Sequence, residues 1–200
     1  MLIAFCGIDG AGKSTQIARL ARSLEPEREV RITRQPSSEY RNSALVRAFV
    51  DDRISAEQAP AALREMAVHA AADRLRHVRT EILPHLARGA VVISDRYVYS
   101  TYAYFLARGL DDLQWLIELN RHVPEPDLTF YLDISPETAG ARVRARDGGS
   151  HKREEVNAGR MTRAREVFLT RPWGAGDSYH VIDGTLPEDE VARRISAHVL

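Results

Sequence analysis

The chain has 200 residues, 44% of them apolar and 28% charged, and its 28 basic and 28 acidic side chains cancel to a formal net charge of zero. That length suits one domain with a sizeable core, and the balanced charge excludes bulk attraction to nucleic acid or to an anionic membrane. A lone cysteine, Cys6, cannot close an internal disulfide, and no stretch is long and apolar enough to span a bilayer; with no leader-like start, a cytoplasmic setting is the expectation.

The first element, LIAFCG, reads as a strand and runs directly into Gly7-Ile-Asp-Gly-Ala-Gly-Lys-Ser-Thr15. Gly7, Gly12, Lys13 and Ser14 match the spacing of a phosphate-binding loop. Glycines let the backbone turn tightly, so that successive N–H groups face one concavity and attract an anion. The residues from Lys13 to Leu24 have helical periodicity, so the loop also ends at a helix N-terminus with unpaired donors. Asp9, Gly10, Ala11 and Thr15 complete the stretch that would surround a nucleotide triphosphate. Lys13 would reach the β- and γ-phosphates, and the Ser14 hydroxyl would ligate Mg²⁺. With two lysines in the whole chain, chance rarely puts one at that position. The bland alternative is a Gly-rich strand-to-helix turn that binds nothing.

Glu29 to Thr33 reads as a second strand. Residues 56–88 are helical in pattern, punctuated by Pro60 and Pro84. Ala90 to Ser94 is a continuous apolar run, as a strand buried on both faces shows. Tyr97 to Arg108 and Asp111 to Arg121 read as helices, Asp127 to Ile134 as a fourth strand, and Pro136 starts another helix. Ser178 to Ile182 is a weaker fifth strand, and the last residues are helical. This alternation predicts an α/β fold: one domain over residues 1–200 with a parallel sheet covered by helices on both faces. Ligands of such sheets bind at the carboxyl ends of the strands.

Those ends are charged. Asp95 and Arg96 follow the third strand and read either as a helix N-cap beside a surface arginine or as a charge pair at a phosphoryl-transfer site. In the second reading Arg96 holds an acceptor phosphate bidentately, and Asp95 orients it or water on Mg²⁺. Arg34, at the end of the second strand, would make a phosphate fork with it. The run from Arg142 to Arg153 holds six basic side chains around Gly148 and Gly149. It is expected to be a mobile lid, at about residues 142–155, whose arginines stabilise charge on the transferred phosphoryl group. Arg74, within Ala70-Ala-Ala-Asp-Arg74, reads by itself as an exposed salt-bridge partner beside small packing residues. His69, His77 and His85 do not share a helical face and read as scattered surface or packing residues.

Taken together, GIDGAGKST, TRQP at 33–36, AADR at 71–74, DRYVYSTYAY at 95–104, PDLTFYLDI at 126–134 and the basic run resemble the thymidylate kinase family of P-loop nucleoside monophosphate kinases. The resemblance implies a five-stranded parallel sheet of the P-loop NTPase type, MgATP as donor, a deoxynucleoside 5′-monophosphate as acceptor, and a homodimer. It implies that Asp9 meets the acceptor sugar with Tyr104 packed nearby. Arg34 and Arg96 would bind the acceptor phosphate, and Arg74 the base. The loop holds no arginine at Ile8, Asp9, Gly10 or Ala11, so catalytic arginines would come from the lid, with Arg146 and Arg153 the candidates beside Lys13, Asp95 and Arg96. Three positions depart from the family pattern: Gln35 replaces the glutamate of TREP, Ala70 replaces a base-stacking phenylalanine, and Thr101 stands where Asn or Ser is usual. These leave dTMP as the first acceptor to test. A kinase for another acceptor, or a non-catalytic nucleotide-binding regulator, are the alternatives.

Overall fold

The computed structural model describes residues 1–51, 53–146, 158–174, 176 and 178–199. Five strands form one sheet: β1 (Leu2–Cys6), β2 (Val30–Arg34), β3 (Val91–Asp95), β4 (Leu128–Asp133) and β5 (Tyr179–Asp183). Their order is β2-β3-β1-β4-β5 and every pairing is parallel. All five residues of β1 are buried. Alternation sends Ile3 and Phe5 into one core, with Ile93, Phe130 and Leu132, and sends Leu2 and Ala4 into the other, with Val92, Met66 and Tyr97. Apolar residues on both faces follow from helices covering both faces, so β1 reads as a continuous run rather than an alternating one.

The register places Phe5 beside Asp95 and Cys6 beside Tyr131. β1 thus delivers Gly7 to a crevice between the ends of β3 and β4, where the chain order along the sheet reverses and α/β sheets open a ligand site. Helix α1 (Lys13–Leu24) starts there and buries Ile17, Leu20, Ala21 and Leu24 on one side, at the spacing of an amphipathic helix. Two short helices, α2 (Ser38–Asn42) and α3 (Ala44–Val50), follow β2, and their first turns are capped by the Ser37 and Ser43 hydroxyls.

The long helical stretch is α4 (Ala59–His77), a π-helical turn (Val78–Ile82) and α5 (Leu83–Ala87). Pro60 stands in the first turn of α4, where its missing N–H costs nothing. Pro84, in the first turn of α5, likewise follows the point where the α-helical ladder is already interrupted. Helices α6 (Val98–Ala107) and α7 (Leu113–Leu119) precede β4. Helices α8 (Pro136–Arg146), α9 (Ala158–Thr170) and α10 (Glu188–Ser196) complete the fold.

The basic run differs from the expected loop. Arg142, Arg144 and Arg146 lie on α8, because arginine and alanine are good helix formers and glycine enters only at position 148. The rest of the expected lid, with Arg153, lies outside the described residues. Arg165 on α9 grips both carboxylate oxygens of Asp133 at 2.8 Å, tying that helix to the end of β4.

Candidate active site

Three glycines of the phosphate loop have positive φ: Gly7 at 144°, Gly10 at 87° and Gly12 at 89°. At Gly10 a Cβ would stand 2.4 Å from the Ala139 carbonyl oxygen, so a side chain there would displace the loop from α8. The Lys13 ammonium folds back into the loop, donating to Gly7 O at 3.1 Å and Ile8 O at 3.0 Å. Burial lowers its pKa to about 8, with Arg96 acting in the same direction against Asp9 and Asp95. Gly10, Gly12, Lys13, Ser14 and Thr15 line a cavity of about 530 Å³, together with Asp9, Arg34 and Asp95.

Behind Asp9 stands Arg96. Its backbone is left-handed at φ 68°, an uncommon state for a non-glycine residue, held by Arg96 N–H donating to Phe5 O and by the Ser94 hydroxyl donating to Arg96 O. That geometry turns the guanidinium back toward the loop. Nη1 donates to Gly7 O at 3.1 Å and Nη2 to Asp9 Oδ1 at 2.7 Å, while the group lies 4.8 Å from the Tyr104 ring centroid. Burial opposes ionisation of Asp9, but Arg96 and Lys13 outweigh it and hold its pKa at about 2. Burial pushes the Tyr104 hydroxyl up to about 12, so it stays protonated beside this cluster.

Asp95 is paired on one side only. Its Oδ2 is 3.6 Å from Arg34 Nε, and its buried Oδ1 has no hydrogen-bond partner. An orphaned carboxylate oxygen and the exposed Ser14 hydroxyl on one cavity are hard donors of the kind that Mg²⁺ takes. Arg34 is 58% exposed, and Arg41 of α2, which donates to Pro36 O at 2.6 Å, brings a second guanidinium into its field. On the opposite wall Arg142 donates to Gly184 O at 3.1 Å, and Arg146 lines the same cavity.

The candidates for the base form a separate group. Arg74 is only 2% exposed, which corrects its reading as a surface salt-bridge partner. It donates through Nε to Gln35 Oε1 at 2.8 Å, through Nη1 to Asn120 Oδ1 and through Nη2 to the Thr101 hydroxyl oxygen. Ala70 is buried in the apolar core with Met66, Tyr97 and Tyr102, and the neighbouring His69 ring packs on Tyr40 at 5.1 Å. Gln35 N–H donates to Asp95 O at 3.0 Å, which joins this group to the end of β3.

Arg41 and Asn120, and the pairing of Gln35 with His77, escaped the sequence reading. Asn120 and His77 stand at helix ends with no motif around them, whereas Gln35 was visible as a departure from TREP. No group of three or more His, Cys, Asp or Glu side chains suited to a metal occurs among the described residues.

A phosphate loop on the central strand, with a carboxylate and two guanidinium groups at the neighbouring strand ends, defines a P-loop phosphotransferase of the nucleoside monophosphate kinase class. The thymidylate kinase profile matches residues 5–195. The chain is 38% identical over 202 residues to a probable thymidylate kinase of Pyrobaculum calidifontis, covering 98% of this chain and 94% of that one. It is 38% identical over 205 residues to the thymidylate kinase of Xanthomonas oryzae, covering 100% and 83%. The chain belongs to the thymidylate kinase family, whose activity is ATP-dependent phosphorylation of dTMP to dTDP.

Proposed function

We propose that the protein transfers the γ-phosphoryl group of ATP to the 5′-phosphate of dTMP, with the donor in the phosphate loop and the acceptor on the Arg34–Arg96 side. The observation that carries this is the meeting of Lys13, Asp95 and Arg34 on one cavity, with Arg96 braced directly behind Asp9. The loop N–H groups hold the donor phosphates, and Lys13 leaves its two carbonyl acceptors to follow the γ-phosphoryl as charge builds on its oxygens. Arg34 and Arg96 orient the acceptor phosphate for in-line attack, so positioning and charge stabilisation do most of the work. Asp9 receives the acceptor sugar, Tyr104 packs behind it, and Arg74, Thr101 and the Ala70 neighbourhood form the base end. Arg146 and, outside the described residues, Arg153 are the assigned lid arginines. Ser14 and Asp95 are the residues that would hold Mg²⁺, which would supply further neutralisation of the donor phosphates.

Ala70 and Gln35 favour one second reading, an acceptor with a base other than thymine. Ala70 itself supplies no ring in place of the family's stacking phenylalanine, and such stacking is worth roughly 1–3 kcal/mol. A panel of nucleoside monophosphates at saturating MgATP separates the two. The expected result is that dTMP has the highest kcat/KM; another monophosphate exceeding it by tenfold would overturn the thymidylate assignment.

A homodimer fits the surface. Val68 and Leu75, seven positions apart on α4, are exposed on one face, and Leu83 of α5 is exposed beyond them. Sedimentation equilibrium of the same preparation is expected to give twice the 22.5 kDa chain mass. A single buried cysteine and dependence on free nucleotides support a cytoplasmic location; no described helix is long and apolar enough to cross a membrane.

A further inference from the structure

The Arg74 guanidinium is buried, and its three hydrogen-bond acceptors are neutral: Gln35, Asn120 and Thr101. Each acceptor has its orientation fixed by what its other atoms do. Asn120 spends its amide N–H on Leu116 O at 2.7 Å, so its oxygen faces Arg74. Gln35 gives its oxygen to Arg74, so its nitrogen is the atom 2.9 Å from His77 Nδ1. An amide nitrogen only donates, so Nδ1 must be the bare, accepting nitrogen of a neutral ring. The ring proton is then on Nε2, which lies 2.7 Å from the Thr33 hydroxyl oxygen and donates to it.

The geometry points to His77 and Gln35 as positioning residues for the acceptor base: neutral His77 fixes the rotamer and amide sense of Gln35, and Gln35 fixes the Arg74 guanidinium. This rests on the assignment of Arg74 to the base. Gln35 holds the arginine without adding a charge to the field of Asp73, so much of the cationic field remains for an electron-rich base carbonyl; the glutamate usual at this position would cancel more of it.

The relay fails when His77 is protonated. An Nδ1–H then faces the Gln35 N–H. Turning the amide over satisfies His77 but presents N–H to the Nε–H of Arg74, so neither sense satisfies both. Several charges face the ring. Glu81, on the π-helical turn, and Asp73, on α4, favour the charged form; Arg76 and Arg74 oppose it, and Arg31 of β2 is occupied with Glu81. Burial is the largest influence and lowers the pKa of His77. Because the folded state favours the neutral ring, the arrangement is intact at neutral pH and is lost as pH falls through that lowered value.

Nitrogen-15 NMR of the ring and of the Arg74 Nε–H, in protein without substrate, tests the relay directly. The expected result is an Nε2-protonated tautomer at pH 7.5 and an Arg74 Nε–H that exchanges faster once His77 titrates. Steady-state kinetics with dTMP tests the positioning role. His77→Ala is expected to raise the acceptor KM about tenfold with kcat at saturation within about twofold. Gln35→Glu, which accepts from both neighbours, is expected to raise the His77 pKa and keep the Arg74 Nε–H slow to exchange at acid pH. An Nδ1-protonated tautomer, or an unchanged acceptor KM in His77→Ala with the Arg74 signal undisturbed, overturns the proposal. Failure of the wild type to use dTMP would remove the substrate assignment and leave the NMR outcome standing.

Discussion

Lys13→Ala is expected to lower kcat by about 10³-fold while the protein stays folded. The ammonium is the cationic side chain of the phosphate loop itself, and its N–H groups rest on Gly7 O and Ile8 O. Those carbonyls are weaker partners than phosphate oxygens, so the lysine is held in place without being tied up. Alanine at the first position of α1 is a better helix former, and the loop conformation belongs to its glycines, so folding does not depend on the lysine. The Lys13 pKa of about 8 adds a second signature. Phosphate charge raises that pKa, so at Lys13 ATP binding near pH 8 takes up about half a proton in the wild type and none in the variant; at pH 6.5 the lysine is already protonated and neither does. Calorimetry in buffers of different ionisation enthalpy reads the uptake. A folded variant with kcat within tenfold of wild type would remove Lys13 from the transfer step.

Arg96→Ala is expected to raise the acceptor KM by about 100-fold, toward the lower end of what truncating one member of a hydrogen-bonded charged pair costs, since Asp9 is partly exposed. Its guanidinium joins the Gly7 carbonyl to the Asp9 carboxylate and lies over Tyr104, so its removal strands Asp9 and unpacks the wall on which the acceptor phosphate would sit. Arg96→Lys restores charge without the planar fork and is expected to recover only part of the loss. The KM for ATP is expected to change far less, because Lys13 and the loop amides stay in place. Measured KM values for both substrates decide it; an unchanged acceptor KM in a folded Arg96→Ala protein would contradict this placement.

What could be read from the sequence was what is contiguous. GIDGAGKST carries its own turn and helix start, and the apolar runs at 2–7, 90–94 and 127–134 identify buried strands without any partner. Asp95 and Arg96 were visible because they follow such a run at once. Arg74 was not, because its burial depends on partners from three other elements, 39, 46 and 27 positions away. Within Ala70-Ala-Ala-Asp-Arg74 nothing distinguishes a buried guanidinium from a solvated one. Helices α2 and α3 are only five and seven residues long, too short for a periodic pattern to stand out, and the helix over Arg142 to Arg146 is hidden in the sequence by its charge density.

On the proposed placement, the two substrates lean on very different parts of the sheet. The triphosphate loop grows from β1, hydrogen-bonded on both sides and wholly buried, whereas Arg34 and Gln35 hang from β2, a half-exposed border strand. Local opening is costliest where packing is densest, so amide exchange is expected to be slowest in Leu2–Cys6 and fastest, among the strands, in Val30–Arg34. On the proposed placement, the enzyme is expected to be stiff where it grips the donor and compliant where it receives the acceptor.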